Sequence, residues 1–157
     1  MAKVRFRELQ AGDVAFLAAN LREADRVELV GTRGADVRFE DAISRAVLLS
    51  SHTWVATGDD HEPIAIFGVA PVSMLNSIGS PWFLSTDRAY RHPRTLVSEG
   101  RRYLAKMRES YFSLVNYVDA RNDKSIRWLR RMGFTIHPPI PYGVEGEPFH
   151  RFTMGAE

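Results

Sequence analysis

The apolar residues of this chain change their period several times, and each change marks an element. Val4, Phe6 and Leu9 nearly alternate, as in a strand with one face covered. Gly12 and Asp13 then offer an N-cap, after which Val14, Phe16, Leu17 and Leu21 fall at helical spacing. The helical pattern runs on irregularly to Leu29, breaks over 31–34 and resumes over 40–50 with Ile43, Ala46, Val47 and Leu49. Two helical segments joined by a loop are predicted. Three β-rich runs follow at 53–57, 63–72 and 82–86, separated by Gly58-Asp59-Asp60 and by the turn signals of 76–81, which predicts an antiparallel meander.

The second half alternates strand and helix. Thr95 is placed to cap a long helix that keeps Leu96, Tyr103, Leu104, Met107 and Tyr111 at helical spacing, with Arg101, Arg102, Lys106 and Arg108 on other faces. Residues 113–118 read as a buried strand, Asn122 or Asp123 as the cap of a short helix reaching Met132, and Gly133 as the left-handed residue that ends it. The last strands are predicted at 134–136 and 148–154, joined by the Pro- and Gly-rich stretch 137–146. The pattern is α+β.

Composition narrows the function classes. The 157 residues, 45% hydrophobic and 11% aromatic, suit one domain over 1–157 with a real core. Lys plus Arg number 21 against 19 Asp plus Glu, so the formal charge of +2 is too small for a nucleic-acid-binding field. Without cysteine there are no disulfides, thiolate nucleophiles or cysteine zinc sites. The start, Met1 to Glu8, is charged and lacks an apolar signal core, and no stretch approaches the ~20 apolar residues of a membrane span. A soluble, unsecreted protein is expected. His52, His61, His92, His137 and His150 are scattered without metal-ligand spacing, so no metal is expected. P-loop, Gly-x-Ser-x-Gly and Gly-x-Gly-x-x-Gly motifs are absent. Trp54, Phe67, Trp82, Phe83, Tyr117 and Phe134 fall in or beside predicted strands and read as core.

The most informative segment is 122–134, Asn-Asp-Lys-Ser-Ile-Arg-Trp-Leu-Arg-Arg-Met-Gly-Phe: a polar cap, an amphipathic helix, a glycine stop and an aromatic returning to a sheet. It resembles the segment of the GNAT superfamily of N-acetyltransferases in which an Asn after the fifth strand is followed by one short helix and Gly-Phe. The order of elements around it is similar too, most closely over 63–134. The resemblance implies a GNAT fold, with a mixed, mostly antiparallel central sheet of about six to seven strands flanked by about four helices. It also implies acetyl-CoA as cofactor and an amine acceptor, either a small molecule or a protein. In such a fold backbone groups of Leu84 and Ser85 hold the pantetheine and acetyl carbonyl, Arg91, Arg94, Thr95 and Leu96 border the diphosphate, and Asn122 contacts the cofactor. A helix N-terminus is physically suited to that diphosphate.

The chain departs from the family pattern in two places. If Arg91 is the leading Arg of the family's Arg/Gln-x-x-Gly-x-Gly/Ala loop, the glycine positions hold Arg94 and Leu96, and Pro93 removes one N–H donor. The Tyr that protonates the departing thiolate, seven residues after the Asn, is replaced by Leu129, which has no proton to give. The strand 82–86 carries no Glu or Asp to act as base, so no catalytic residue is assigned. Ser85 or Thr86 is the only group there that could orient a water. Asp25 and Glu28, three apart, could share one helix face near the acceptor side of such a fold; with Arg22 one such step before Asp25, the blander reading, surface or interface ion pairing, is the one taken.

A narrower resemblance rests on Asn20-Leu21-Arg22-x-x-Asp25-x-x-Glu28, Phe67-Gly68-Val69, 81–86 and 122–134 with Leu129 in place of Tyr. These look like the acetyltransferase-like proteins of tailed phages and prophages, including the small internal virion protein of T7-like phages. That implies a virion-associated or assembly component with a degenerate acyl-CoA site, phage structural proteins as partners, and a place in the cytoplasm of a bacterial host or in the virion. The alternative is an active acetyl-CoA-dependent N-acetyltransferase. Fold alone does not decide between them.

Overall fold

The computed structural model describes residues 3–155. Met1, Ala2, Ala156 and Glu157, the ends of the chain on which the reading of one domain over 1–157 and of the charged start also draws, lie outside the described residues. In chain order the elements are β1 (Arg5–Arg7), α1 (Asp13–Ala19), α2 (Glu23–Arg33), α3 (Phe39–Leu49), β2 (His52–Thr57), β3 (Pro63–Ser73) and β4 (Ile78–Ser85). A 3-10 turn (Asp87–Arg91), α4 (Pro93–Ser110), β5 (Ser113–Asp119), α5 (Asp123–Met132), β6 (Thr135–Tyr142) and β7 (Glu147–Met154) complete it.

The seven strands form one sheet in the order β1-β2-β3-β4-β5-β7-β6, antiparallel throughout except for the parallel pair β4–β5. β3 is covered on both faces, which is why its sequence from Ile64 to Val69 is apolar without alternation. One face packs Phe67, Val69 and Leu114 against Tyr103, Leu104 and Met107 of α4 and Ile126 and Leu129 of α5. The other packs Val55 and Ile66 against Leu17 of α1 and Ile43 of α3.

The expected meander, the long helix, the β5–α5 unit and the Gly133 stop, at φ 105°, are all present. Several boundaries differ for physical reasons. The first predicted helical segment is two helices, because Leu21 leaves the helix to bridge Thr86 at the end of β4. α2 then runs through Gly31, where a break was expected, and ends at Gly34. Five helices therefore flank the sheet among the described residues, where about four were expected. Thr95 does not cap α4; the helix begins two residues earlier with Pro93 in its first turn and His92 at the cap position. β6 extends to Tyr142 through three prolines, which an edge strand tolerates.

Candidate active site

The parallel pairing of β4 and β5 is brief. It joins Ile78 to Ser113 and Gly79 to Leu114, and then the strands diverge. Which groups face the resulting fork follows from alternation. Thr86 N–H donates to Ile64 O at 2.8 Å, so Thr86 and Leu84 bond toward β3, while Gly79, Pro81, Phe83 and Ser85 turn their peptide groups toward β5. Pro81 therefore sits where its missing N–H has no strand partner to lose. That explains how β4 begins at Ile78, four residues before the expected 82, and passes straight through a residue that signals a turn.

Side chains stand in for the missing sheet partners. Asn116 of β5 donates its amide to Pro81 O at 2.6 Å, and its Oδ1 accepts the N–H of Tyr117 at 2.8 Å. Ser85 N–H donates to Asp25 Oδ2 at 2.8 Å, and Ser85 O accepts Arg22 N–H at 2.9 Å. Across the fork, Asp119 N–H donates to Glu28 Oε1 at 3.0 Å, and the Asn122 amide reaches the same oxygen at 3.3 Å. Asp25 and Glu28, one helical step apart on α2, thus hold the two diverging strands. The Phe83 peptide groups remain turned toward the gap.

The surface ion pairing expected of these residues is corrected by this arrangement. Asp25 is 1% exposed and Arg22 7%, and the Arg22 Nε to Asp25 contact of 2.8 Å is a buried one. Burial pushes the Asp25 carboxyl above the usual aspartate range against the pull of Arg22 and of the Ser85 N–H. Glu28 keeps some accessible surface because it lines a cavity, but protein surrounds most of its carboxyl. Desolvation, reinforced by the charge of Asp25, raises it to about 7, against hydrogen bonds from Asp119 and Asn122 and the charge of Arg22. Its Oε2 has no hydrogen-bond partner among the described residues.

The cavity, about 430 Å³, is walled by residues from both sides of the sheet: Glu28, Leu29 and Thr32 of α2 on one, Leu96 and Tyr103 of α4 and Trp128 of α5 on the other. A site open to both layers through a forked sheet can bring two reactants together from opposite faces. Arg22 also lines it, with its guanidinium 5.7 Å from the Phe83 ring centre and 5.5 Å from that of Tyr90.

The residues singled out from the sequence are not all brought to this cavity. Leu84 and Leu96 line it, though the peptide groups of Leu84 bond to β3 and only its side chain contributes. Ser85 and Asn122 meet it through the carboxylates they bind. Asn122 also caps α5, accepting Ser125 N–H at 3.2 Å. Arg91, Arg94 and Thr95 lie off the cavity, at the α4 N-terminus. There the first intrahelical bond is Leu96 N–H to His92 O at 3.0 Å, so Arg94 and Thr95 carry N–H groups free of the helix ladder. Thr86 Oγ1 caps the 3-10 turn and donates to Ile64 O, while Ser85 Oγ is buried without a hydrogen-bond partner among the described residues. Leu129 is 6% exposed and packs in the core, and the neighbouring Trp128 lies on Phe83, 4.7 Å between ring centres, with its indole N–H on Leu96 O.

No protein-family model matches the chain, and no curated protein does. Solved structures do. Ard1 from Thermoplasma volcanium superposes with a TM-score of 0.73 at 16% identity, covering 98% of this chain and 99% of that one. The ribosomal-protein-S5-alanine acetyltransferase from Vibrio fischeri gives 0.70 at 15%, covering 96% and 92%. A spermidine N-acetyltransferase from Vibrio cholerae, in complex with CoA and spermine, gives 0.69 at 12%, covering 96% and 94%. At these identities what is shared is the architecture, and the chain has the GNAT fold.

Proposed function

We propose that this chain transfers an acetyl group from acetyl-CoA to a primary amine, with Glu28 as the general base. The observation that carries the reading is Glu28 itself. One of its oxygens is fixed by Asp119 and Asn122, the other is free on the wall of a cavity that opens through the fork, and its proton affinity lies near neutrality. No carboxylate of β4 is needed, because α2 brings one to the fork from across the sheet.

The residues present fit acetyl-CoA in part. The N–H groups of Arg94 and Thr95, at a helix N-terminus beside the exposed Arg91 and Arg94 side chains, suit a diphosphate, and the Phe83 peptide groups are available to an amide-bearing arm. Bound there, the group supplies an activated thioester. Glu28 takes a proton from the acceptor ammonium, and Leu129 gives none to the leaving sulfur. Positioning across the fork carries the rest of the rate.

A second reading starts from a disabled acyl-CoA site, which two observations favour: Asp25 already occupies the Ser85 N–H, and Leu129 is core. On that reading the GNAT scaffold serves as a virion-associated or assembly component of a phage, with a disabled acyl-CoA site and phage structural proteins as partners. Calorimetric titration with acetyl-CoA, with CoA and ADP as controls, separates the two. The enzyme reading expects saturable binding that Arg94→Glu weakens without lowering the melting temperature, since Arg94 is exposed. At a ligand concentration a hundred times Kd the fold gains about 2.7 kcal/mol. No binding at millimolar ligand refutes the enzyme reading.

A further inference from the structure

The acyl group needs a hydrogen-bond donor where negative charge gathers on its oxygen, and the obvious one is taken. Ser85 N–H, the peptide donor at the end of β4 that faces the fork, is spent on Asp25. Pro81 has none, Leu84 bonds to β3, and the Phe83 peptide groups are the ones assigned above to the amide-bearing arm. We infer that Arg22 supplies this donor: its guanidinium, anchored through Nε by Asp25 and lying by the rings of Phe83 and Tyr90, binds the thioester carbonyl oxygen with a terminal nitrogen.

Four observations converge on this assignment. Arg22 lines the cavity while 7% exposed, so any accessible surface it presents there is at the reacting space and not on a solvated face. Its one side-chain hydrogen bond among the described residues uses Nε, which leaves both terminal nitrogens without a partner. The Asp25 bond and the rings of Phe83 and Tyr90, 5.7 and 5.5 Å from the guanidinium carbon, hold the group at the cavity before any ligand arrives, the preorganisation that makes such donors effective. The backbone of the same residue is bonded to Ser85 O, so the side chain is tied to the strand end where the fork opens.

The chemistry balances without another acid. The amine nitrogen forms a bond to the carbonyl carbon, and the carbonyl π pair moves onto oxygen, where Arg22 holds it. The pair returns as the carbon–sulfur bond breaks, and sulfur leaves with the bonding electrons as the CoA thiolate. Two protons leave the nitrogen between ammonium and amide: Glu28 takes the first before attack, the second passes to the departing thiolate, which ends as the CoA thiol, and Arg22 gives up none, as its raised proton affinity requires. This rests on the acyl-transfer reading and assigns its electrophile.

The test compares binding of acetyl-CoA with that of S-ethyl-CoA, a thioether lacking the carbonyl oxygen. The wild type is expected to prefer acetyl-CoA by about tenfold to a hundredfold, the range for a hydrogen bond to a charged donor. Arg22→Ala is expected to bring that ratio near one, and added guanidinium ion to restore it. Because Arg22→Ala leaves Asp25 buried without its ion, Arg22→Lys is measured beside it; it keeps a cation for Asp25, and the ratio is expected to fall there too. A merely structural role would weaken both ligands equally and leave the ratio unchanged, which overturns the assignment, as does equal binding of both ligands by the wild type. If the wild type binds neither ligand, the acyl-CoA reading itself fails.

Discussion

Replacing Glu28 with Gln tests the site through stability before any substrate is known. The carboxyl has a proton affinity of about 7 in the fold against 4.5 for an unperturbed glutamate. Between those values the folded chain binds a proton that the unfolded chain has lost, so stability falls as pH rises from about 4.5 to about 7 and is level beyond. Glutamine carries no charge and keeps an oxygen for the Asp119 N–H, so it escapes this loss. The advantage of Glu28→Gln over the wild type is therefore absent near pH 4.5 and complete above about 7. At ~1.36 kcal/mol per pH unit it reaches at most about 3 kcal/mol, or roughly 5–10 °C in melting temperature for a chain of this size.

Urea or thermal unfolding of both proteins from pH 4.5 to 8.5 measures it, and the comparison cancels the opposite contributions of Asp13, Asp60 and Asp119, whose carboxyls are held low by hydrogen bonds and their arginine partners and which lose stability in acid. A stability difference that does not change across this range would show that Glu28 titrates normally and would remove the reason to call it a base. If it is the base, kcat/KM for acetyl transfer rises with pH to a limb near 7, and Glu28→Gln loses roughly 10²–10⁴ of it while gaining stability.

Two further substitutions probe how the site is held. Asn122→Ala removes the α5 cap and one of the bonds to Glu28, costing about 1 kcal/mol in urea unfolding and moving the pH limb of activity upward, because Asn122 favours the charged carboxylate. Gly143→Ala forces a side chain onto a φ of 76° and places its Cβ 2.6 Å from Gly31 O; by undocking the β6–β7 turn from α2 it is expected to cost more than ~1 kcal/mol and to raise hydrogen exchange at Val144 and Glu145, whose N–H groups bond Thr32 O and Gly31 O.

Much of the fold was legible because its signals are local. The Asn122 cap and the Gly133 stop lie at the two ends of one helix, and the meander is set by turns between adjacent strands. The site was legible only as the possibility that Asp25 and Glu28 share a helix face near the acceptor side, for the opposite reason. Asp25 and Glu28 bond peptide groups 60 and 91 residues away, and a pair of acids on a helix near two arginines has the same pattern whether it faces water or a forked sheet. The available signal was indirect: β4 carries no acid, so on the acyl-transfer reading a base has to come from another element. Pro81 misled in the same way, since its missing N–H matters only if a strand lies opposite, and here the strand has departed.

The pairing of the two α2 carboxylates also explains how one helix both builds and equips the fork. A parallel pair that separates after two residue pairs leaves peptide donors on both strands, and each needs an acceptor. Asp25 meets this need on β4 and is compensated at once by Arg22, so it can be deeply buried, and the same bond aims the arginine. Glu28 meets it on β5 through one oxygen, and burial with the neighbouring charge of Asp25 raises its proton affinity, with no cation bonded to it to offset them. The asymmetry assigns the roles: the compensated acid is structural and the uncompensated one is free to exchange a proton. Exchanging the two, by Asp25→Glu with Glu28→Asp, keeps the charges but changes both reaches by one methylene, and should abolish transfer while leaving the net charge of the site unaltered.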